Sequence, residues 1–305
     1  NGGGTVDVTL VVVPYDLGRA EVGSGRGPRA YLECGAVDAL RLCSHDVQIA
    51  HAERRHEFRT ELDAVLAVNT SVAAHVAAAV HAGRLPIVLA GNCNAALGVR
   101  AGLLTGKPYP LGGLPALAWF DAHGDFNTPE ISRSGYLDGM PLAMLTNRAH
   151  PQAWTSLGGW PLPERLALHV GARDVDPAEE VSLQTSTVLT VDAAQIARAG
   201  IGPALVPALD ELALRANDQT ADLPPLHLHV DIDVLDPAVA PSVMFPAPGG
   251  LTLADLLSAI DMIGARFRLE ALSLASFLPG GAGDGTTCAA GTAIMATVAS
   301  IAAAS

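Results

Sequence analysis

Two short stretches of this 305-residue chain carry residues that no core requires. The first is Trp119-Phe120-Asp121-Ala122-His123-Gly124-Asp125-Phe126-Asn127-Thr128, which ends an apolar run beginning at Leu114. Along an extended chain, side chains i, i+2 and i+4 point the same way, so Asp121, His123 and Asp125 should converge. The second is Leu226-His227-Leu228-His229-Val230-Asp231-Ile232-Asp233-Val234-Leu235-Asp236-Pro237, where Asp231 and Asp233 share a face by the same rule. Four carboxylates and one imidazole are hard or borderline donors, a set that suits Mn²⁺ and also accepts Co²⁺, Fe²⁺ or Zn²⁺. If the two stretches meet, carboxylates bridging two ions permit a dinuclear centre that activates a shared water. Turn chemistry alone also places Asp and Pro where strands become loops. That accounts for one stretch better than for two.

Side chains placed this way need strands that end together. Apolar runs read as strands at 5–14, 46–50, 86–90, 114–120, 165–170, 187–191, 225–230 and 269–277. Between them lie helical stretches at 28–42, 58–82, 95–104, 137–146, 201–216 and 252–264. Pro28 suits a first helical turn, and Gly83 a helix end. About eight strands alternating with helices indicate an α/β fold around a mainly parallel sheet. No repeat, linker or low-complexity tract divides the chain, so 1–305 is expected to form a single domain. Ligands of such sheets gather beyond the carboxyl ends of the strands. The polar motifs fall at those ends, after Ala90, Phe120, Gly171 and Val230.

Half of the chain is hydrophobic but only 4% is aromatic, which leaves Val, Leu, Ile and Ala to build a sheet buried on both faces. The net charge of −13 repels phosphate backbones and argues against nucleic acid, while suiting a cationic cofactor or substrate. Cys34, Cys43, Cys93 and Cys288 form no Cys-x-x-Cys pair, which argues against a disulfide framework and a zinc finger. The stretch 286–305 is uncharged and nearly long enough to span a bilayer, but its Ala, Thr, Gly and Ser content points to a buried terminal helix and no membrane partner. Asn1-Gly2-Gly3-Gly4 reads as a flexible start without a basic, apolar leader, and a cytoplasmic location is the expectation.

Asp121-Ala122-His123-x-Asp125-x-Asn127-Thr128-Pro129 and Asp231-x-Asp233-x-x-Asp236-Pro237 resemble the manganese motifs of the arginase/agmatinase (ureohydrolase) superfamily. The resemblance covers most of the chain, including Gly27-Pro28 and Pro248-Gly249-Gly250-Leu251. It implies a three-layer α/β/α sandwich around an eight-stranded parallel sheet, hydrolysis of guanidino or amidine-like groups by metal-activated water, and assembly as a homo-oligomer, trimer or hexamer. Asp121, His123, Asp125, Asp231 and Asp233 match metal ligands. Asn127, Ser132 and Ser134, together with Asp176 in Arg173-Asp174-Val175-Asp176-Pro177, match positions that hold an α-amino-acid substrate. Asn127 and Ser134 would face its carboxylate and Asp176 its ammonium, although Asp176 also reads as a helix cap.

The departures from the pattern are as informative. Gly91-Asn92-Cys93-Asn94 stands where the family has Gly-Gly-Asp-His-Ser, which puts Cys93 at a metal-ligating histidine's position. A thiolate there is a softer donor that favours zinc-like ions. A thiol that keeps its proton is only a small buried side chain, and the site then holds one ion. Leu137-Asp138-Gly139 replaces Leu-His-Gly, whose histidine is associated with proton shuttling. Asp138 can act as acid and base if nearby carboxylates raise its pKa, and is otherwise a solvated loop residue. Ser276 stands near the place of the glutamate that grips the guanidinium, with Asp284 as an alternative carboxylate.

The expected activity is that of a metal-dependent amidinohydrolase cleaving a guanidino C–N bond in an α-amino acid, with Mn²⁺ as one or two ions. Nω-hydroxy-L-arginine, giving ornithine and hydroxyurea, suits the departures because an N-hydroxyguanidine is less basic than a guanidine, and the chain resembles a hydroxyarginine-hydrolysing branch of the superfamily. Arginine itself would give ornithine and urea. Asp125 would orient the attacking oxygen, and Asp138 would protonate the departing amine. Agmatine, a guanidino acid and formiminoglutamate are other substrates for the same chemistry. The reading from another class is a non-catalytic amino-acid-binding homologue. Five retained ligands weigh against it, because an idle site has little physical reason to keep clustered carboxylates that repel one another.

Overall fold

Runs of Val, Ile and Leu form the middle layer. In the computed structural model, which describes residues 5–54, 58–109, 113–217 and 222–304 (at His45 the backbone alone), the strands are β1 (Val6–Val13), β2 (Tyr15–Asp16), β3 (Arg19–Ala20), β4 (Ser44–His51), β5 (Leu85–Ala90), β6 (Ala116–Phe120), β7 (Ala167–Val170), β8 (Leu189–Val191), β9 (Pro225–Asp231) and β10 (Arg268–Ala275). The glycine-rich start lies outside the described residues. Eight strands make one sheet in the order β4-β1-β5-β10-β9-β6-β7-β8, and their pairings are parallel. The pair β2–β3 is a separate antiparallel hairpin that the sequence reading did not anticipate. Every residue of β5, β6 and β9 is buried, as strands covered on both faces require.

The helices are α1 (Gly27–Glu33), α2 (Ala36–Arg41), α3 (Glu61–His81), α4 (Ala96–Gly106), α5 (Pro141–Leu145), α6 (Gln152–Leu157), α7 (Pro177–Gln184), α8 (Ala193–Ala199), α9 (Ile201–Ala216), α10 (Leu253–Gly264) and α11 (Asp284–Ala304). Helices α3 to α6 pack together over one face, while α2 and α8 to α11 form a connected layer over the other. The result is the α/β/α sandwich expected. The helix expected at 28–42 is two, because Gly35 adopts φ +89° between α1 and α2. The one expected at 137–146 begins as a 3₁₀ turn and restarts at Pro141. Helices α6 and α8 have no range of their own in the sequence reading, and α7 follows Asp176, which reads as a helix cap. They are short, and α8 depends on a local cap in which Asp192 Oδ1 accepts from the Gln195 backbone and Gln195 Oε1 accepts from that of Asp192.

The terminal stretch is helix α11, packed on α2, α10, β1 and β10, with Cys288, Ile294, Met295 and Val298 buried. Its Cys288 is disulfide-bonded to Cys34, 254 residues away. The expectation against disulfides is corrected here by a single bond, since chain folding and not local spacing brings the two thiols together.

Strand order creates a switch point beside the two motifs. From β6 the chain proceeds outward to β7 and β8, whereas from β9 it returns the other way to β10. Strands β6 and β9 are neighbours, so their following loops diverge and leave a crevice. Helix α4 packs closely on α3 through Gly98, Gly102 and Gly106. A Cβ at Gly102 would lie 2.6 Å from both the Ala73 carbonyl oxygen and Val76 Cβ on α3. Gly102→Ala should therefore destabilise the fold by about 1–3 kcal/mol through overpacking, although alanine is intrinsically better in a helix by about 1 kcal/mol. Urea unfolding checks the sign, and a raised midpoint would contradict this close helix approach.

Candidate metal centre and substrate cavity

The parallel register pairs Phe120 with Val230, so Asp121 and Asp231 leave adjacent strands side by side. His123 Nδ1 lies 3.4 Å from Asp121 Oδ1 and 3.2 Å from Asp233 Oδ2. Donor atoms of Asp121, His123 and Asp233 all fall within 4.8 Å of one another. Backbone and side-chain donors fix these carboxylates. Asp121 accepts from the His123 amide at 2.8 Å and from Trp119 Nε1 at 3.2 Å. Asp233 accepts from the Ala122 amide at 3.2 Å, and Asp231 from the Asp233 amide at 2.9 Å. The Cys93 thiol and the Ser276 hydroxyl both donate to Asp231 Oδ2, at 2.9 and 2.5 Å.

Asp125 reaches the site differently from the expectation. The strand ends at Phe120, and Asp125 sits at φ +50°, so strand period does not bring it in. Its carbonyl accepts from the Leu142 and Ala143 amides at the start of α5, which holds a backbone conformation costly for a non-glycine residue. Its Oδ2 is buried without a partner.

The electrostatics of this floor are one-sided. Burial raises the pKa of Asp121, Asp125, Asp231 and Asp233, and their mutual repulsion raises it further, with Asp231 reaching about 8. Burial lowers that of His123, but hydrogen bonds to Asp121 and Asp233 outweigh it and push His123 up to about 11. Burial, then Asp231, holds the Cys93 thiol well above its ordinary value. Among the described residues no Lys or Arg forms an ion pair with these four carboxylates. Arg173 spends its guanidinium on the carbonyls of Gly171, Asp233, Val234, Leu235 and Ala247. The donor set, the orphaned Asp125 oxygen and the uncompensated charge fit a divalent cation.

Above this floor opens a cavity of about 690 Å³, within the range of small-molecule sites. His123, Asp125, Asn127, Ser132, Ser134, Asp138, Asp176, Asp231, Asp233 and Ser276 line it, while Cys93 and Asp121 lie beneath the wall. The Ser132 and Ser134 hydroxyl oxygens accept from the Gly135 and Tyr136 amides, which leaves both O–H groups free to donate. Asn127 is buried with Oδ1 unpartnered. Asp176 is both a wall residue and the residue before α7, where its amide donates to Glu179 Oε2 at 3.3 Å.

Asp138 is no solvated loop residue. Its Oδ2 accepts from Asn92 Nδ2 at 2.7 Å and its Oδ1 from Asn94 Nδ2 at 2.6 Å. Burial and the charge of Asp231 raise its pKa well above normal despite those bonds. Asn92, Asn94 and Asp138, which depart from the resembled motifs in two separate stretches, therefore form one cluster. Asp284 is not in the wall. It accepts from Ser242 Oγ at 2.7 Å and the Gly280 amide at 2.8 Å at the start of α11.

Several wall residues escaped the sequence reading. Glu179 is buried and accepts from the Phe126 amide at 2.7 Å; burial raises its pKa to about 7. The Asp176-x-x-Glu179 capping pattern was the available signal. Met244 and Phe245 rim the opening, and the Phe245 ring stands edge-on to His123 and Tyr136, with centroids 6.1 and 5.8 Å apart. His229, stacked on Trp119 beneath the floor, was read only as part of a strand.

Residues 6–300 match the family model described as "Arginase family". The arginase of Bacillus caldovelox is 34% identical over 269 residues, covering 84% of this chain and 85% of that protein. The arginase of Neurospora crassa is 32% identical over 266 residues, covering 82% and 72%. Among solved structures, arginase from Bacillus subtilis superposes with TM-score 0.81 at 26% identity, covering 96% of this chain and 98% of that one. Entamoeba histolytica arginase in complex with L-ornithine gives 0.83 at 25% identity, covering 98% and 99%. Members of this family are binuclear metal enzymes.

The raised carboxyl pKa values give the site a pH signature. Without a cation the folded floor holds protons that the unfolded chain releases near pH 4, so stability is fully present at low pH and is lost as pH rises through the folded values, about 8 for Asp231. Bound divalent metal removes that loss. The melting-temperature gap between Mn²⁺-loaded and chelated protein should therefore widen from pH 6 to pH 9, as read by calorimetry. A gap constant across that range would contradict the cation reading.

Proposed function

The chain belongs to the arginase family and is a metal-dependent amidinohydrolase, and from that premise we propose that it cleaves the guanidino C–N bond of a free α-amino acid, with Nω-hydroxy-L-arginine preferred. The observation that carries this reading is the composition of one cavity. Its buried floor is the carboxylate and imidazole set, and its more open wall carries Asn127, Ser132, Ser134 and Asp176. The two free hydroxyl donors suit a substrate carboxylate, and the Asp176 carboxylate suits its ammonium. That the Entamoeba histolytica relative is described with L-ornithine supports an amino-acid ligand in this fold.

Mn²⁺ held by Asp121, His123, Asp125, Asp231 and Asp233 would supply a Lewis acid and lower the pKa of water. The chain's own groups do the rest. The floor carboxylates hold the guanidino head against the attacking water, and Asp125, with one oxygen unpartnered, accepts from that water and orients it. Water oxygen bonds to the central carbon, and the bond from that carbon to the chain nitrogen breaks. Asp138, whose pKa is raised by burial and Asp231, holds the proton that the departing amine takes. Phe245 and Tyr136 narrow the opening and limit bulk water.

Preference for the hydroxylated substrate follows from the wall at Ser276. That hydroxyl donates to Asp231 instead of presenting a carboxylate, which a less basic N-hydroxyguanidine tolerates better than a guanidinium. Arginine is the second reading, favoured by the names of the relatives. Mn²⁺-loaded protein offered hydroxyarginine, arginine, agmatine, guanidinobutyrate and formiminoglutamate separates these. The highest kcat/KM is expected for hydroxyarginine, with ornithine and hydroxyurea as products; a win for agmatine or guanidinobutyrate would overturn the roles of Asn127, Ser134 and Asp176. Asp138→Asn should lower kcat about 10²- to 10⁴-fold, as loss of a general acid does. Asp176→Asn should chiefly raise KM.

A further inference from the structure

Beneath the floor lies a set of buried polar groups that the chemistry above does not use. Register places Trp119, His229 and Ser273 in one row across β6, β9 and β10, with His227 two residues before His229 on the same face. Ser273 Oγ lies 2.8 Å from His227 Nε2 and 2.8 Å from His229 Nδ1. A serine hydroxyl has one proton, so at least one of these contacts must be donated by an imidazole N–H. The His229 ring is fixed by stacking on Trp119, centroids 3.7 Å apart and planes 22° from parallel. Its Nε2 is sealed from solvent and has no partner, which leaves a buried polar atom uncompensated. A ring nitrogen of His229, Cys93 Sγ and an Asp121 carboxylate oxygen all lie within 4.8 Å of one another.

We propose that His229 is a metal ligand, completing with Cys93 and Asp121 a deeper cation position beside the outer one formed by Asp121, His123 and Asp233. Cys93 stands where the resembled motif has histidine, and the imidazole comes instead from the neighbouring strand β9. The contacts to Ser273 allow either histidine to be the donor, and ligation by His229 Nε2 selects one arrangement. His229 Nδ1–H donates to Ser273 Oγ, Ser273 donates to His227 Nε2, and the His229 Nε2 lone pair is free for the ion. This is how a ligating histidine is ordinarily oriented by its other nitrogen. Cys93 would hold the ion as a thiolate, its proton released to water as the hydrogen bond to Asp231 is given up. Sulfur, nitrogen and one carboxylate select Zn²⁺ or Co²⁺ at the deeper position, while the outer set of two carboxylates and an imidazole suits Mn²⁺.

The inference rests on the metal-dependent reading above, and two measurements test it separately. In crystals of the wild-type chain loaded with zinc, the anomalous map should show an ion about 2.3 Å from Cys93 Sγ and about 2.0–2.1 Å from His229 Nε2. In a cobalt titration followed by the thiolate-to-cobalt charge-transfer band, His229→Gln and Ser273→Ala should each weaken the thiolate-bearing position about 10- to 100-fold. An ion bound without His229, or a charge-transfer band with unchanged affinity in His229→Gln, overturns the proposal and leaves the hydrolase reading standing. A wild-type chain that binds no divalent ion overturns both. If His229→Gln fails to fold, the wild-type anomalous map decides alone.

Discussion

Like charges buried side by side are the constraint on which this molecule turns. Asp121, Asp125, Asp231 and Asp233 are nearly sealed from water, and no basic side chain among the described residues forms an ion pair with them. Placing even one uncompensated carboxylate in such surroundings costs several kcal/mol, and four repel one another besides. Protons relieve the repulsion, and the raised pKa values record that, but a divalent cation relieves it while keeping every oxygen available as a ligand. His123, pressed between Asp121 and Asp233, carries the local positive charge available within the cluster.

The rest of the fold serves to hold that arrangement. Adjacent parallel strands β6 and β9 present their carboxyl ends together, and divergent connections keep the crevice above them open. Amides within the two loops pin one oxygen each of Asp121, Asp231 and Asp233, while Asp125 keeps an oxygen without a partner. Close packing of α4 on α3 through glycine holds the start of α4, and so the segment carrying Asn92, Cys93 and Asn94, against the sheet. Hydrogen bonds from Asn92 and Asn94 then fix Asp138 in the wall. Two departures from the resembled motifs, far apart in the chain, thus work as a unit.

Much of this was legible in the sequence because parallel strands leave a strong trace. Eight runs read as strands match the eight strands of the sheet, and polar residues clustered after four of them marked the face that carries the site. Asp121, His123, Asp231 and Asp233 were found because two apolar runs ended in charge. Asp125 lines the same cavity, but a left-handed turn and not strand period delivers it. His229 was missed because a histidine within a buried strand resembles any other core residue until its neighbours across β6 and β10 are known. The available hint was that His227 and His229 alternate onto one face of an otherwise apolar strand. The Cys34–Cys288 bond and the shared cluster of Asn92, Asn94 and Asp138 depend on contacts between distant segments, which spacing does not encode. Asp284 looked like a spare site carboxylate because a helix-capping aspartate and a substrate-gripping one are the same residue type seen one-dimensionally.

The central claim is that the buried carboxylates exist to hold divalent metal, and counting bound metal tests it most directly. Chelated protein dialysed against Mn²⁺ with a trace of Zn²⁺ and then assayed by plasma emission should retain about one to two ions per chain, and Asp231→Asn should retain fewer because it removes a ligand charge. Retention below about a tenth of an ion per chain by the folded wild-type protein would contradict the account, because the carboxylate floor would then have no cation to justify its burial.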